Sequence, residues 1–189
     1  MSTYGSFAVL DVPAGTDVSA ACRDLTLAKR GSLHVTESPA GWQRHLMMFR
    51  EIEMLPALSG VLRQAGTGRL ALDEDYDEFG SLWAVLAAPD GEVRTVHRHY
   101  ILNADPNVPE EVGVALEDLG ADPRGQDVAG ADAAAAAAAL FEAASEPMIE
   151  AEAATDSVFD QFGVIGPLPW WEALGLPWPG DVPELDQPV

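Results

Sequence analysis

The chain has 189 residues, of which 48% are hydrophobic, and it carries a formal net charge of −21 at pH 7. This length allows one domain with a sizeable core, and the apolar content together with five tryptophans excludes wholesale disorder. The negative charge opposes direct binding to nucleic acid or to an anionic membrane, and it favours a basic protein partner.

A single cysteine, Cys22, excludes an intrachain disulfide framework. The N-terminus has no basic region followed by an apolar run, and no stretch stays apolar over the roughly 18 residues that a membrane span needs. We therefore expect a cytoplasmic protein. Nine arginines against one lysine are typical of a GC-rich genome, so a bacterial source is expected.

The first 70 residues alternate between period-two apolar patterns, which indicate strands, and apolar residues at spacings of three and four, which indicate helices. The segment 42–53 is ambiguous because its residues also suit a helix, and we interpret it as a strand. The predicted elements are strand 4–12, helix 17–30, strand 32–37, strand 42–53, helix 55–64 and a strand that begins near Leu70.

The clearest local signal is the turn Pro89-Asp90-Gly91 between apolar segments 81–88 and 92–102. Proline presets φ at the first corner of the turn, and glycine accepts positive φ at the third. This pattern predicts an antiparallel hairpin. If Ala88 pairs with Glu92, Trp83 lies opposite His97.

The order of elements predicts an α+β fold. Residues 1–103 are expected to form a ferredoxin-like β-α-β-β-α-β core with the hairpin added at one edge. Residues 104–189 are expected to form a second part, an acidic, helical, Ala/Pro-rich extension with a Pro/Trp-rich end, packed on the first. Its predicted helices are 108–119, 132–144 and 148–162, with Pro147 as an interruption.

The charge is distributed unevenly along the chain. Residues 1–70 contain 6 acidic and 7 basic residues, and residues 71–103 contain 7 acidic and 2 basic residues. Residues 104–189 contain 18 acidic residues and one base, Arg124. This steep asymmetry in charge predicts two regions that differ in how they interact with solvent and in which partners they bind.

An acidic run with five carboxylates follows the predicted strand at Leu70. Its members are Asp73, Glu74, Asp75, Asp77 and Glu78. An EF-hand loop that begins at Asp73 needs glycine at its sixth position and glutamate at its twelfth, and Glu78 and Ala84 stand there instead. Three interpretations of the run stay open: a looser metal site, a solvated loop that discourages edge pairing, and an electronegative patch that contacts a basic partner.

Three of the five tryptophans, Trp170, Trp171 and Trp178, lie among prolines in the last 20 residues. Aromatic side chains of this size rarely stay exposed in a cluster. The segment is therefore predicted either to fold back over the body and close its core, or to act as an arm whose tryptophans enter a partner's pocket.

His97 and His99 lie two residues apart on a predicted strand, so their imidazoles share a face, as in some zinc sites. Catalytic zinc needs a third protein ligand, so the pair is only a weak metal candidate, and no metal or cofactor is predicted. Cys22 lies on the apolar stripe of the first helix and is interpreted as a core residue. The chain contains no Gly-x-Ser-x-Gly, phosphate-loop, Rossmann or His-Glu-x-x-His motif.

These observations favour a non-catalytic acidic module that engages or blocks a basic protein partner through the acidic run and the three C-terminal tryptophans. Bacterial immunity proteins, which neutralise toxins, share this general character, but no stretch of the chain carries a family motif. The alternatives are a small enzyme or ligand sensor on the His97, Arg98 and His99 strand face, a DNA-mimic inhibitor, and a housekeeping domain whose acidity serves solubility. The oligomeric state is not predicted.

Overall fold

The computed structural model describes residues 5–37, 41–76, 80–102, 127–154 and 168–182. Its six-stranded antiparallel sheet and several helices confirm the mixed α+β class. In chain order the elements are β1 (Gly5–Pro13), α1 (Ser19–Ala28), β2 (Ser32–Glu37), β3 (Trp42–Phe49), α2 (Leu55–Ala65), β4 (Gly68–Asp75), β5 (Gly80–Ala88), β6 (Arg94–Leu102), α3 (Ala131–Leu140), α4 (Ser145–Ala153), α5 (Leu168–Ala173) and a 3₁₀ turn (Pro179–Asp181).

The sheet has the strand order β2-β3-β1-β4-β5-β6, and every neighbouring pair is antiparallel. β1 lies inside the sheet, and all of its residues from Ser6 to Val12 are buried. A strand with one face in solvent would alternate buried and exposed residues. Uninterrupted burial therefore means that both faces of the sheet are covered.

One face is covered by α1 and α2, which we call the first helical layer. Pro56 lies in the first turn of α2, where proline is tolerated, and Gly66 ends the helix with a φ of 76°. Long aliphatic side chains fill the space between helices and sheet. The buried cluster includes Leu10, Met47, Met54, Leu58, Leu62, Leu70 and Leu72.

The opposite face is covered by α3, α4 and α5, which we call the second helical layer. Ala134, Ala137 and Ala138 of α3 are fully buried, and their small side chains let this helix lie close to the sheet. The shared cluster includes Phe7, Val9, Trp83, Val85, Met148, Trp170 and Trp171. These helices and the sheet thus share one core, while the division of the chain at residue 103 stays a prediction.

The β5–β6 hairpin pairs in a different register from the predicted one. Trp83 lies opposite His99, Val85 lies opposite His97, and a β-bulge falls between Val85 and Leu86. The predicted pairing of Trp83 with His97 is wrong because the strands part earlier and leave residues 89–93 as the connection.

Two boundaries in the second helical layer also differ from expectation. α3 ends at Leu140, and Glu142 adopts a positive φ of 59°, so the helix does not reach residue 144. α4 begins at Ser145 with Pro147 in its first turn, where the missing amide costs no intrahelical hydrogen bond. Pro147 therefore lies at the start of a helix instead of interrupting one.

The helix predicted over 108–119 and the end of the one predicted over 148–162 lie outside the described residues. Among the helices that are described, none is long and apolar enough to cross a membrane.

Candidate functional site

The acidic run begins inside the fold. β4 continues to Asp75, so Asp73 and Glu74 are buried strand residues, and only Asp75 of the three is partly exposed. The interpretation of the run as a solvated loop is therefore wrong for Asp73 and Glu74. Asp77 and Glu78 lie outside the described residues. Contact between the run and a partner stays a prediction.

Glu74 holds the start of α2. Its carboxylate accepts hydrogen bonds from the backbone amides of Glu53, Met54 and Leu55 and from the Tyr76 hydroxyl, which lies 2.6 Å away. The first amides of a helix have no partner within the helix, and an acidic group there also meets the positive end of the helix dipole. Burial raises the pKa of Glu74, although these hydrogen bonds act in the opposite direction.

Asp73 points to the opposite face from Glu74 and has a different environment. Its Oδ1 is buried and has no hydrogen-bond partner in the described part of the chain. Burial, followed by the neighbouring charges of Asp75 and Glu74, raises the pKa of Asp73 well above its usual value. This environment favours the protonated, uncharged form of the Asp73 carboxyl group, and the described residues supply it with no counter-charge.

The C-terminal tryptophans lie over the sheet. Trp170 and Trp171 are buried, and Trp178 is partly buried. Trp83 of β5 stacks nearly parallel to Trp170 at a centroid distance of 5.8 Å and meets Trp171 edge-on at 5.0 Å. Trp171 Nε1 donates a hydrogen bond to the carbonyl of Pro177. In this arrangement the indole rings close a core, the first of the two predicted possibilities; partner contact stays a prediction.

Glu152 of α4 ties the second helical layer to β6. Its Oε2 lies 2.8 Å from His97 Nε2 and accepts a hydrogen bond from Trp170 Nε1, while its Oε1 accepts one from the amide of Gly130. Burial opposes ionisation, but the hydrogen bonds from His97 and Gly130 outweigh it and lower the pKa of Glu152 to about 2. Because an ionised carboxylate can only accept, His97 carries a proton on Nε2.

The two strand histidines do not form a metal centre in the described structure. His97 is fully buried, and His99 lies with Nδ1 at 3.6 Å from Asp127 Oδ2, beyond hydrogen-bond distance. Arg98 exchanges both backbone hydrogen bonds with Val128. Across the described ranges, no three His, Cys, Asp or Glu side chains come together in a way that could hold a metal ion.

Sequence reasoning missed a buried ionic group on the same sheet face. Asp11 accepts two hydrogen bonds from Arg44, both at 2.7 Å, and one from Arg69 at 2.9 Å. Arg69 also donates to the carbonyl of Leu140 at the end of α3, and its guanidinium lies between the rings of Trp42 and Phe141. The available signal was a charged residue, Asp11 or Arg69, directly beside each of the apolar runs 7–10 and 70–72.

Two buried reactive side chains lie on the first-layer side of the sheet. Burial raises the pKa of Cys22 to about 12, so its thiol stays protonated and is a poor nucleophile at neutral pH. His45 is fully buried, and neither of its ring nitrogens has a hydrogen-bond partner among the residues described. Burial lowers the pKa of His45, although the charge of Asp11 opposes this effect.

The exposed carboxylates of the C-terminal region lie on and beside the second helical layer. Seven of the eight acidic residues described there are exposed; the exception is Glu152. The seven are Asp127, Asp132, Glu142, Glu146, Glu150, Glu172 and Asp181. No lysine or arginine occurs in the sequence after Arg124, so no basic side chain from this region is interspersed among them.

Comparison with protein-family models, with curated proteins and with solved structures finds no match to this chain. The function of the chain must therefore be inferred from its geometry. That geometry combines a buried polar network beneath the second helical layer with an outer surface that presents carboxylates.

Proposed function

We propose that this protein is a non-catalytic module that binds, and thereby blocks, a basic protein partner. The observation that carries the proposal is the set of seven exposed carboxylates on and beside the second helical layer, which no lysine or arginine from the same region accompanies. Such a surface attracts a cationic protein and raises its rate of association.

Two observations favour binding over catalysis. The imidazole of His97 has no exposed surface and is held by Glu152 and Trp170, so substrate cannot reach it in this conformation. The thiol of Cys22 is buried and protonated. A nucleophile or general base must come within hydrogen-bond distance of its substrate, and neither residue meets that condition.

The proposal includes a cytoplasmic, bacterial setting and an inhibitor resembling toxin-immunity proteins in general character. Its support is the acidic surface together with the buried chemistry. If the partner proves to be an enzyme that acts on nucleic acid, the same surface would serve as a DNA mimic. The acidic run and Trp178 are further candidate contacts, because Asp75 and Trp178 are partly exposed.

Charge reversal on the second helical layer tests this function. Glu146→Lys, Glu150→Lys and Glu172→Lys are combined in one variant, and Asp17→Lys, Asp24→Lys and Glu37→Lys, all exposed in the first 70 residues, form the matched control. Each variant is immobilised and exposed to extract from the source cell at low and moderate salt, and bound proteins are identified by mass spectrometry.

We expect the unmodified protein and the control to retain the same basic protein, with less retained at moderate salt because exposed charges are screened. The second-layer variant should lose it. Equal retention by both variants, or the absence of any basic protein at low salt, would contradict the proposal.

We also propose that β1 to β4 with α1 and α2 form a ferredoxin-like core. The support is the order β2-β3-β1-β4, with β1 antiparallel to both neighbours and both helices packed in one cluster. Nuclear Overhauser contacts in solution from Val9 to Leu46 and from Val9 to Ala71 check the two neighbours of β1. Absence of either contact would contradict this topology.

A further inference from the structure

Asp73 lies in a row of aromatic side chains on the sheet face beneath the second helical layer. It pairs across the strands with Phe7 on one side and with Trp83 on the other. Directly opposite residues on a sheet face have Cβ atoms about 5 Å apart. The carboxyl group therefore lies between two aromatic side chains.

Trp171 closes this row from the helical side. Its ring centroid lies 5.0 Å from that of Phe7 and 5.0 Å from that of Trp83, so it contacts both residues that flank Asp73. Trp178 in turn lies 6.5 Å from Phe7 and 6.2 Å from Trp171. We call Phe7, Trp83, Trp171 and Trp178 the aromatic enclosure.

No group in the described structure offers Asp73 a counter-charge. Only 8% of the residue is exposed, its Oδ1 has no hydrogen-bond partner, and none of the ion pairs found in the described ranges includes it. Its sequence neighbours Glu74 and Asp75 are themselves acidic. Leaving a carboxyl group unpaired at such depth destabilises a protein, so its presence calls for a compensating partner.

We propose that Asp73 and the aromatic enclosure bind an organic ammonium ion. A bound cation favours release of the Asp73 proton to solvent, and the resulting carboxylate supplies the counter-charge. The ring faces attract the cation through their quadrupole while they pack against its methyl or methylene groups. The chemistry selects against a metal ion, because one carboxylate and ring faces do not supply the several oxygen, nitrogen or sulfur ligands that metals take.

The ligand approaches from the side of Trp178. This ring is only partly buried, and Asp73 retains a small exposed fraction. The site lies between sheet and helices, whereas the proposed partner surface lies on the outer side of the second helical layer. Ammonium binding therefore does not depend on the exposed carboxylates that carry the proposed function, although the acidic run and Trp178 are candidate contacts in both proposals.

Titration with simple cations tests the site. The full chain is titrated with tetramethylammonium chloride and with n-butylammonium chloride, each against sodium chloride at the same ionic strength, by calorimetry and tryptophan fluorescence. Neopentyl alcohol, a neutral molecule of similar shape to tetramethylammonium, is the ligand control. We expect both cations to give saturable binding and the alcohol to give none.

Asp73→Asn keeps the shape of the side chain and removes its charge, so we expect affinity for the cations to fall at least about tenfold. Asp132→Asn, which removes an exposed charge from α3, is the matched control and should bind like the unmodified chain. If Asp73→Asn does not fold, Trp178→Leu opens the outer wall of the enclosure and should weaken binding several-fold.

Tighter binding of tetramethylammonium identifies a methylated ammonium as the preferred ligand, and tighter binding of butylammonium identifies a primary amine such as a lysine side chain. Either result supports the site. Binding of neither cation at millimolar concentration, equal binding of the alcohol, or unchanged affinity in Asp73→Asn would overturn it. Whether the immobilised chain retains a basic protein in the charge-reversal experiment does not depend on any of these results.

Discussion

The two helical layers cover the same sheet by different means. The first helical layer meets the sheet through leucine, valine and methionine side chains, and its exposed charges are mixed, with Arg23, Asp24 and Arg63 on the two helices. The second helical layer meets it through alanines and tryptophans, and its exposed charges are all carboxylates. The first layer relies mainly on apolar packing, with a polar contact from Glu74 to the start of α2. The second layer also relies on side-chain hydrogen bonds across its interface with the sheet.

The polar contacts of the second helical layer are few and specific. Arg69 reaches the carbonyl at the end of α3, and Glu152 of α4 reaches His97 on the sheet. Polyalanine has little side-chain area, so α3 gains less from burial than a leucine-rich helix does. The difference teaches that the anionic layer depends on buried ionic groups for its position while it presents charge to solvent.

The largest effect is expected from Arg69→Leu. This substitution leaves Asp11 with Arg44 alone and removes the contact with Leu140, and removal of one partner from a buried ionic group costs about 3–5 kcal/mol. Urea unfolding, followed by tryptophan fluorescence and by circular dichroism, measures the loss. Arg63→Leu, at an exposed position in the last turn of α2, should change the free energy of unfolding by only about 0.5 kcal/mol. Equal effects of the two substitutions would mean that Arg69 does not hold the second layer.

Glu152→Gln tests the second anchor. The amide keeps one acceptor but faces three donors, so we expect a loss of about 1.5–3 kcal/mol at pH 7. The pKa of Glu152 is lowered from 4.5 to about 2, so the folded state binds fewer protons than the unfolded one in this window. The stability contributed by the carboxylate is complete above pH 4.5 and is lost as the pH falls towards 2.

The pH dependence of the free energy of unfolding tests the ionisation of Glu152, and Glu74 at the start of α2 is the corresponding carboxylate of the first layer. The difference in free energy of unfolding between the unmodified chain and Glu152→Gln should shrink below pH 4.5, as followed by urea unfolding at a series of pH values. Glu74→Gln, which disturbs the amides that begin α2, should also cost about 1.5–3 kcal/mol at pH 7. A cost for Glu152→Gln that stays constant to pH 3 would contradict the assigned ionisation.

A smaller effect is expected from enlarging α3. Ala137 is fully buried against the sheet, so Ala137→Leu overpacks the interface and should cost about 1–3 kcal/mol. Ala136 is exposed on the same helix, so Ala136→Leu should change stability by no more than about 0.5 kcal/mol. Thermal unfolding compares the pair. Equal costs of the two substitutions would show that Ala137 does not pack against the sheet more tightly than Ala136 does.

The sequence was sufficient where local patterns decide the structure. The predicted boundaries of β2 are those found in the structure, and the predicted boundaries of α1 and α2 lie within a few residues of those found, because periodicity and the glycine at position 66 act over short distances. Register was harder to predict, because the bulge beside Val85 leaves no turn signal of its own in the sequence.

The polar groups of the site could not be predicted from single positions. Asp11, Arg69 and Glu152 are far apart in the sequence from the residues they contact, and only the fold brings them together. The acidic run misled for the same reason. In the sequence, Glu74 resembles a residue of a solvated acidic loop. Its role as an acceptor for backbone amides depends on the start of α2, which only the fold brings beside it.

The smallest effect concerns acid sensitivity on the first-layer side. His45 pairs with Leu10 and Val35 and shares a face with Met47, so protonation would bury an unpaired charge among apolar side chains. Because burial lowers the pKa of His45, the unfolded state takes up the proton first, and stability should fall as the pH drops below about 6.5, by up to about 1.4 kcal/mol per pH unit. His45→Leu should remove this slope between pH 7 and 5. His34→Leu on the neighbouring strand β2, where the imidazole is partly exposed, should keep it. Identical slopes in the two variants would mean that another group on this side of the sheet carries the acid response.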